Sequence, residues 1–205
     1  MNNIDKRAQT RWEKSDISYN NYQDYLERKT ERFKLSLIDL FYISNFKGGN
    51  ATIQESEKDI NRKLIKYSDK LQDIFFVFGT LILSDLNNNQ INLLISKVDS
   101  FCDLTDKNTD SQIDGFSISY LSALLNSYFP NLIPIIDRRI LINLNLVTNN
   151  DIEKKGQIKN IRSFYGKLIE KMAELCRKGK SIREIDRQYF EIKITMKTKN
   201  NEKID

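Results

Sequence analysis

The stretch that decides the fold is residues 113–144, IDGFSISYLSALLNSYFPNLIPIIDRRILINL. It opens with an Asp114-Gly115 pair, which favours the backbone angles of a tight turn. A helix is predicted over 117–128, where small and apolar side chains follow one another without glycine or proline. The first half of the stretch therefore predicts a turn that leads directly into a helix.

The second half of the stretch predicts an extended link and then another helix. Pro130 and Pro134 lack a backbone N–H and restrict the residue before them, so the chain between them is predicted to be irregular. Asp137 then precedes a second helix, predicted to run to Leu144, and aspartate is a favoured N-cap residue. The order of parts is turn, helix, proline-bearing link and aspartate at a helix start.

The rest of the chain is also predicted to be helical. Only seven glycines and two prolines occur in 205 residues, whereas all-β folds need many turns. The fold class is therefore all-α, with one or two helical lobes. Residues 1–28 are predicted to be a polar, partly helical arm whose first nine residues are disordered, and 29–205 the helical domain, with a possible lobe boundary near 105–112. The other predicted helices cover 30–48, 52–67, 71–83, 90–104 and 159–177, and a final helix begins at the capping box SIRE, residues 181–184. Core positions are predicted for Phe75, Phe76, Phe78 and Phe164.

Residue usage excludes several kinds of chemistry. The chain has no histidine, so Ser-His-Asp and Cys-His triads and histidine metal sites are excluded. Cys102 and Cys176 are the only cysteines, too few for a disulfide framework or a structural zinc site made by this chain alone. We expect two free thiols, no metal site and no cofactor. Any chemistry must come from carboxylates, lysines, hydroxyls or the backbone.

Charge and hydropathy suggest a partner and a compartment. The net charge is +5, and residues 151–205 hold 15 Lys and Arg against 9 Asp and Glu. A basic C-terminal quarter favours an anionic partner, with nucleic acid the commonest, although base composition of the source produces the same bias. The N-terminus lacks a signal-peptide pattern, and the most apolar run, 74–83, is about half of a membrane span. We expect a cytoplasmic protein without a membrane partner.

The layout of residues 113–190 resembles that of the helix-hairpin-helix DNA glycosylase superfamily. The resemblance rests on Gly115 in the turn, YLSALL over 120–125, the PIID segment that ends at Asp137, and SIREIDRQYF over 181–190. It implies a helix-hairpin-helix, glycosylase-like fold and DNA as the partner. Membership would also imply a role in DNA repair.

The resemblance implies a set of DNA-binding residues. In such a hairpin, glycines let backbone amides approach a phosphate at a helix N-terminus. This chain keeps Gly115 but has Ser117 where the family has a second glycine, and the Ser117 hydroxyl is a substitute contact or a helix cap. Ser119 lies on the same helix, and Arg138 and Arg139 follow the aspartate, where they would meet phosphates.

Asp137 occupies the position of the family's essential aspartate. A carboxylate there would stabilise positive charge on the sugar as the base leaves, or help to activate the nucleophile. The same residue is also an ordinary N-cap, and both roles together are possible. The sequence leaves these three alternatives open.

Three function classes follow from these observations. The first is a hydrolase, a monofunctional DNA glycosylase that removes a damaged or modified base with Asp137 and water. The second is a DNA-binding module that grips the backbone without chemistry. The third is a helical protein whose partner is another protein, and whether the chain is an enzyme stays open at this point.

The composition of the predicted helix 117–128, which follows the hairpin turn, argues against DNA strand cleavage. Strand-cutting members of the superfamily carry a lysine on this helix for Schiff-base attack, and residues 117–128 contain none. We therefore expect no borohydride-trapped adduct between this helix and DNA that contains an abasic site. The check is peptide mapping by mass spectrometry, and an adduct within 113–128 would show that the hairpin is misaligned with the family.

Overall fold

The computed structural model describes residues 4–48, 53–107 and 109–194. This part of the chain contains eight α-helices and no β-strand, only the isolated bridges Ile4–Ile192 and Ile152–Ile158. The predicted all-α class is thus confirmed. No helix in these ranges is long and apolar enough to cross a membrane. The helices are α1 (Lys6–Arg28), α2 (Leu37–Phe46), α3 (Glu57–Phe78), α4 (Asn88–Cys102), α5 (Ile118–Tyr128), α6 (Arg138–Asn143), α7 (Tyr165–Cys176) and α8 (Ile182–Glu191).

The N-terminal segment is more ordered than its sequence suggested. Helix α1 starts at Lys6, where Asp5 accepts hydrogen bonds from the backbone of the first turn, so residues 6–9 are helical rather than disordered. Trp12, Tyr22 and Leu26 are buried, and α1 packs on both α2 and α8. The aromatic residues scattered through a polar pattern are the buried face of this helix. Residues 1–3 lie outside the described ranges.

Helix α3 replaces two predicted helices with one. The segment between them contains no glycine or proline, so nothing stops the helix until Gly79, which adopts a positive φ of 52°. Its buried residues recur at helical spacing and end with Phe78. Phe75 and Phe76 were predicted to be core residues, and this is wrong, because they lie off that stripe and are 40% and 82% exposed.

Two other helix starts fall later than predicted. Helix α2 begins at Leu37 instead of residue 30 because Ser36 and Asp39 form a capping box there. Helix α7 begins at Tyr165 instead of residue 159, after a 3-10 turn, Ile161–Phe164, that follows Asn160 in a left-handed conformation. Gly48 follows α2 as predicted, whereas Gly49, Thr52 and residues 195–205 lie outside the described ranges.

One buried core extends through all eight helices and across the 105–112 loop. Within it, Asp39 of α2 is fully buried and forms an ion pair with Lys29, just after α1, at 2.8 Å. The Asp39 carboxylate also accepts hydrogen bonds from the Tyr22 hydroxyl and the Ser36 backbone. A buried carboxylate is tolerated only with such partners, so this pair fixes α1 against α2.

The link between α5 and α6 is buried, and side chains of α5 satisfy its backbone. The Ser122 hydroxyl accepts the N–H of Ile136 at 3.2 Å, and the Asn126 amide donates to the carbonyl of Ile133 at 2.8 Å. Both polar side chains are almost fully buried. They supply the hydrogen bonds that an extended backbone inside a core requires, and thereby set the position of Asp137.

We expect Lys29→Met to lower the free energy of unfolding by about 3–5 kcal/mol, because it leaves the buried Asp39 charge without its cation. The measurement is urea denaturation followed by circular dichroism. Lys34→Met is the control, because the Lys34–Glu31 pair is 70% and 66% exposed and its loss should change stability by about 0.5 kcal/mol or less. Equal effects of the two substitutions would contradict this account of the core.

Candidate functional site

An open cleft of about 1000 Å³ lies where five helices meet. Its walls come from the first half of α1, the C-terminal end of α2, the start of α5, the start of α6 and the inner face of α8. The link that ends at Asp137 and the loop from Gln157 to Ile161 close the remaining side. The segment that decides the fold thus also forms one wall of this cleft.

Cationic side chains outnumber acidic ones in the cleft. Two come from α1 and one from the end of α2, parts of the chain that the charge count had left as nearly neutral. The C-terminal quarter, which was predicted to carry the anion-binding surface, contributes a single cation. The cations lining the cleft in the described structure are Arg11, Lys14, Lys47, Arg138, Arg139 and Arg183.

Asp137 is both a helix cap and a cleft residue. Its Oδ1 accepts the backbone N–H of Arg139 at 2.7 Å, which is the N-cap contact of α6. Its Oδ2 lies 3.8 Å from the Lys47 ammonium, and the side chain is 24% exposed. One oxygen therefore holds the helix while the carboxylate stays open to a ligand in the cleft.

A second carboxylate, Asp186 of α8, lies at the floor of the cleft. The residue is 1% exposed, and neither of its side-chain oxygens has a hydrogen-bond partner. The pKa of Asp186 is raised to about 8, chiefly by burial; the Arg183 and Lys47 charges oppose this shift, and the Asp137 charge adds to it. At neutral pH the Asp186 side chain is therefore largely a neutral carboxylic acid.

Arg183, one turn before Asp186 on α8, packs against aromatic rings of α1. Its guanidinium lies 4.1 Å from the Trp12 ring centroid and 4.5 Å from that of Tyr19, and it forms a 2.6 Å ion pair with Asp16. The guanidinium is held in place by cation–π contact and charge, and its buried Nε has no hydrogen-bond partner. Arg183 and Asp186 are three residues apart on α8, so they share one face of the helix.

The structure brings four of the five predicted DNA-binding residues to the cleft. Ser117 and Ser119 line it at the start of α5, and the Ser117 hydroxyl makes no cap hydrogen bond although it occupies the N-cap position. Arg138 donates to the carbonyl of Gly156 at 2.7 Å. Arg139 is more committed to the fold, since it donates to the backbone of the C-terminal segment and to Asp5.

Gly115, the fifth predicted contact, lies outside the cleft. Its φ of 78° is one that glycine adopts readily, which explains the residue at this turn. The neighbouring N–H of Asp114 already donates to a Glu55 oxygen at 2.7 Å, and Lys63 contacts the same carboxylate. The Asp114 N–H of the hairpin turn is thus already bonded to a carboxylate of the protein and is not available to a phosphate.

Sequence reasoning missed Asp186 and the three N-terminal cations. A signal for Asp186 was present, because Ile182, Ile185 and Asp186 share the buried face of α8 at spacings of three and four, and a charged residue is seldom fully buried. No comparable signal exists for Arg11, Lys14 and Lys47. The packing of α1 on α8 and of α2 on α5 brings them to the cleft.

A smaller pocket of about 330 Å³ lies between α4 and α7. Arg162, which lines it together with Asp99, forms ion pairs with three aspartates of α4 and the following turn, Asp99, Asp103 and Asp106, at 2.6–3.0 Å. Because the guanidinium is fully engaged in joining the segment before α7 to α4, we assign this pocket a structural role. The large cleft is therefore the candidate functional site.

Comparisons with protein-family models, with curated proteins and with solved structures find no match for this chain. Among the described residues, no group of three or more Cys, Asp and Glu side chains is arranged to hold a metal ion.

The buried acid makes stability depend on pH. Folding raises the pKa of Asp186 from 3.8 to about 8, so between these values the folded chain binds a proton that the unfolded chain does not. This contribution to stability is full below pH 4 and is lost as pH rises toward 8, by at most about 1.4 kcal/mol per pH unit. Asp186→Asn should therefore become increasingly stabilising relative to wild type from pH 5 to 8, as measured by thermal unfolding.

Asp110→Asn is the control for loss of one negative charge, because the Asp110 side chain is 82% exposed. A difference between wild type and Asp186→Asn that does not change with pH would mean that Asp186 is ionised in the folded protein.

Proposed function

We propose that the protein binds duplex DNA along the basic cleft and hydrolyses the bond between a base and its sugar with the help of Asp137. The observation that carries this proposal is the position of the Asp137 carboxylate. It is fixed by the cap of α6, faces Lys47, and opens onto a cleft lined by cations. The substrate would be a damaged or modified base.

The charge of the cleft supports DNA as the partner. Phosphate contacts from Lys and Arg give binding that is independent of sequence, and such contacts position the duplex. Arg11 and Lys14 are exposed at the rim of the cleft, where a phosphate backbone would meet them first. The Ser117 hydroxyl, which makes no cap hydrogen bond, is a further donor to phosphate.

The order of elements supports a helix-hairpin-helix arrangement of the glycosylase kind. A glycine turn precedes α5, a buried proline-bearing link follows it, and an aspartate caps α6. In this arrangement the DNA backbone runs from the start of α5 across the cleft. The occupied amide at Asp114 shifts the phosphate contacts from the Gly115 turn to the cleft cations.

The chemistry requires a base rotated out of the duplex, and the volume of the cleft is sufficient for one nucleotide. As the base–sugar bond breaks, positive charge develops on the sugar ring. A fixed carboxylate beside that ring stabilises the charge, and water completes the reaction. No lysine on α5 is available for a covalent route.

A non-catalytic DNA-binding module is the second candidate. It is favoured by the Oδ1 contact, which gives Asp137 a structural use without any reaction. Both candidates require DNA in the cleft, and they differ only in whether the Asp137 charge is needed after binding.

The double variant Arg11→Ala/Lys14→Ala should weaken duplex binding at least tenfold at low salt, because it removes two rim cations. It should also reduce the slope of log affinity against log salt concentration by about 2. Fluorescence anisotropy over a salt series measures both quantities. Lys58→Ala/Lys66→Ala on the exposed face of α3 is the matched control and should bind like wild type. Equal losses in the two variants would place the DNA elsewhere.

Asp137→Asn then separates the two candidates. Asn keeps an oxygen for the Arg139 N–H, so the variant should fold and bind DNA, but it lacks the charge that the reaction needs. If the glycosylase reading is right, base release under single-turnover conditions falls at least about 100-fold. Release by Asp137→Asn at the wild-type rate would mean that Asp137 serves only as a helix cap. If the wild type releases no base from any modified duplex, the non-catalytic binding module is favoured.

A further inference from the structure

The buried carboxyl of Asp186 has no structural use in the described fold. Both oxygens lack a partner, and a buried unpaired acceptor costs about 1–3 kcal/mol compared with a hydrogen-bonded one. It also makes no cap contact, because it lies in the second turn of α8. Asp186 forms no stabilising hydrogen bond, yet it lies at the floor of the candidate site. Such a group suggests an interaction with a ligand bound in the cleft.

Asp186 lies among titratable groups from several helices and lines the cleft. Groups on α1, α7 and α8 interact with its charge, and Lys47 after α2 and Asp137 before α6 do so as well. Both carboxyl oxygens are buried beneath the cleft surface and have no hydrogen-bond partner. The titratable groups that interact with it are Tyr19, Lys47, Asp137, Tyr165, Cys176 and Arg183.

Two carboxyl groups in one cleft therefore have opposite environments. Asp137 is partly exposed and lies beside a cation, whereas Asp186 is buried and without a hydrogen bond. In the hydrolysis of a glycosidic bond, two such carboxyl groups have different roles. The buried acid donates a proton to the leaving group, and the ionised carboxylate stabilises the positive charge that develops on the sugar.

We propose that Asp186 is the proton donor to the departing base, acting directly or through one water molecule. This inference rests on the proposed function. The Asp186 O–H proton passes to a ring nitrogen of the base while the bond from the sugar carbon to the base breaks and its electron pair moves to the base. Water adds to the sugar carbon and gives its proton to the Asp137 carboxylate. Proton return from Asp137 to Asp186 through solvent restores the starting state.

The test compares leaving groups that do and do not need a proton. The probes are duplexes that each contain one hypoxanthine or one ethenoadenine, which are neutral bases with an unprotonated ring nitrogen, and a duplex that contains one N7-methylguanine, which is already a cation. Asp186→Asn should slow release of the neutral bases about 100-fold or more in single-turnover assays. It should change release of N7-methylguanine less than about threefold, because that base leaves without protonation.

A pH profile gives the second readout. Wild-type release of a neutral base should fall above pH 8, where Asp186 loses its proton, and the residual rate of Asp186→Asn should lack this fall. Asp110→Asn, on the exposed surface, is the control variant.

Each remaining outcome decides between the proposals. Equal slowing on neutral and cationic bases would give Asp186 a structural role and overturn the inference, as would an unaffected Asp186→Asn. Release of N7-methylguanine alone by wild type would also overturn it, while the proposed function would stand. Release of no base by wild type would remove the proposed function and the inference together.

Discussion

The site depends on one constraint, which is that the extended link between α5 and α6 lies inside the core. An extended backbone in apolar surroundings must find hydrogen bonds outside itself. Ser122 and Asn126 supply them from α5, and the Tyr165 hydroxyl of α7 donates to the Pro134 carbonyl at 2.9 Å. Asp137 directly follows this segment, so its position beside the cleft is set by hydrogen bonds from two helices, α5 and α7.

The charges of the cleft follow from how α1 and α2 are held. The buried Lys29–Asp39 pair joins the end of α1 to the start of α2, and the contacts of α1 with α8 complete the wall. This packing brings Lys47 opposite Asp137 and places Arg183 against Trp12. The cations are thereby concentrated around two carboxyl groups whose environments differ, which is the arrangement on which both proposals rest.

Local sequence patterns predicted the elements of the decisive segment, because turn, proline and capping preferences act within a few residues. The turn at Gly115, helix α5 and the cap at Asp137 are all present in the structure. The single helix α3 and the exposed Phe76 were mispredicted, because an apolar run does not show which side of a helix faces the core. The spacing of Asp186 from Ile182 and Ile185 indicated that it lies on the buried face of α8. The cleft cations of α1 and α2 carried none, since tertiary packing alone brings them to the site.

The most direct test of the cleft as the DNA site is lysine footprinting, with reductive methylation in the presence and absence of duplex DNA followed by mass spectrometry. We expect DNA to protect Lys14 at the rim and Lys47 beside Asp137, while the exposed Lys58 and Lys66 on α3 react as in the free protein. Protection of Lys58 and Lys66 with unchanged reaction at Lys14 and Lys47 would contradict it.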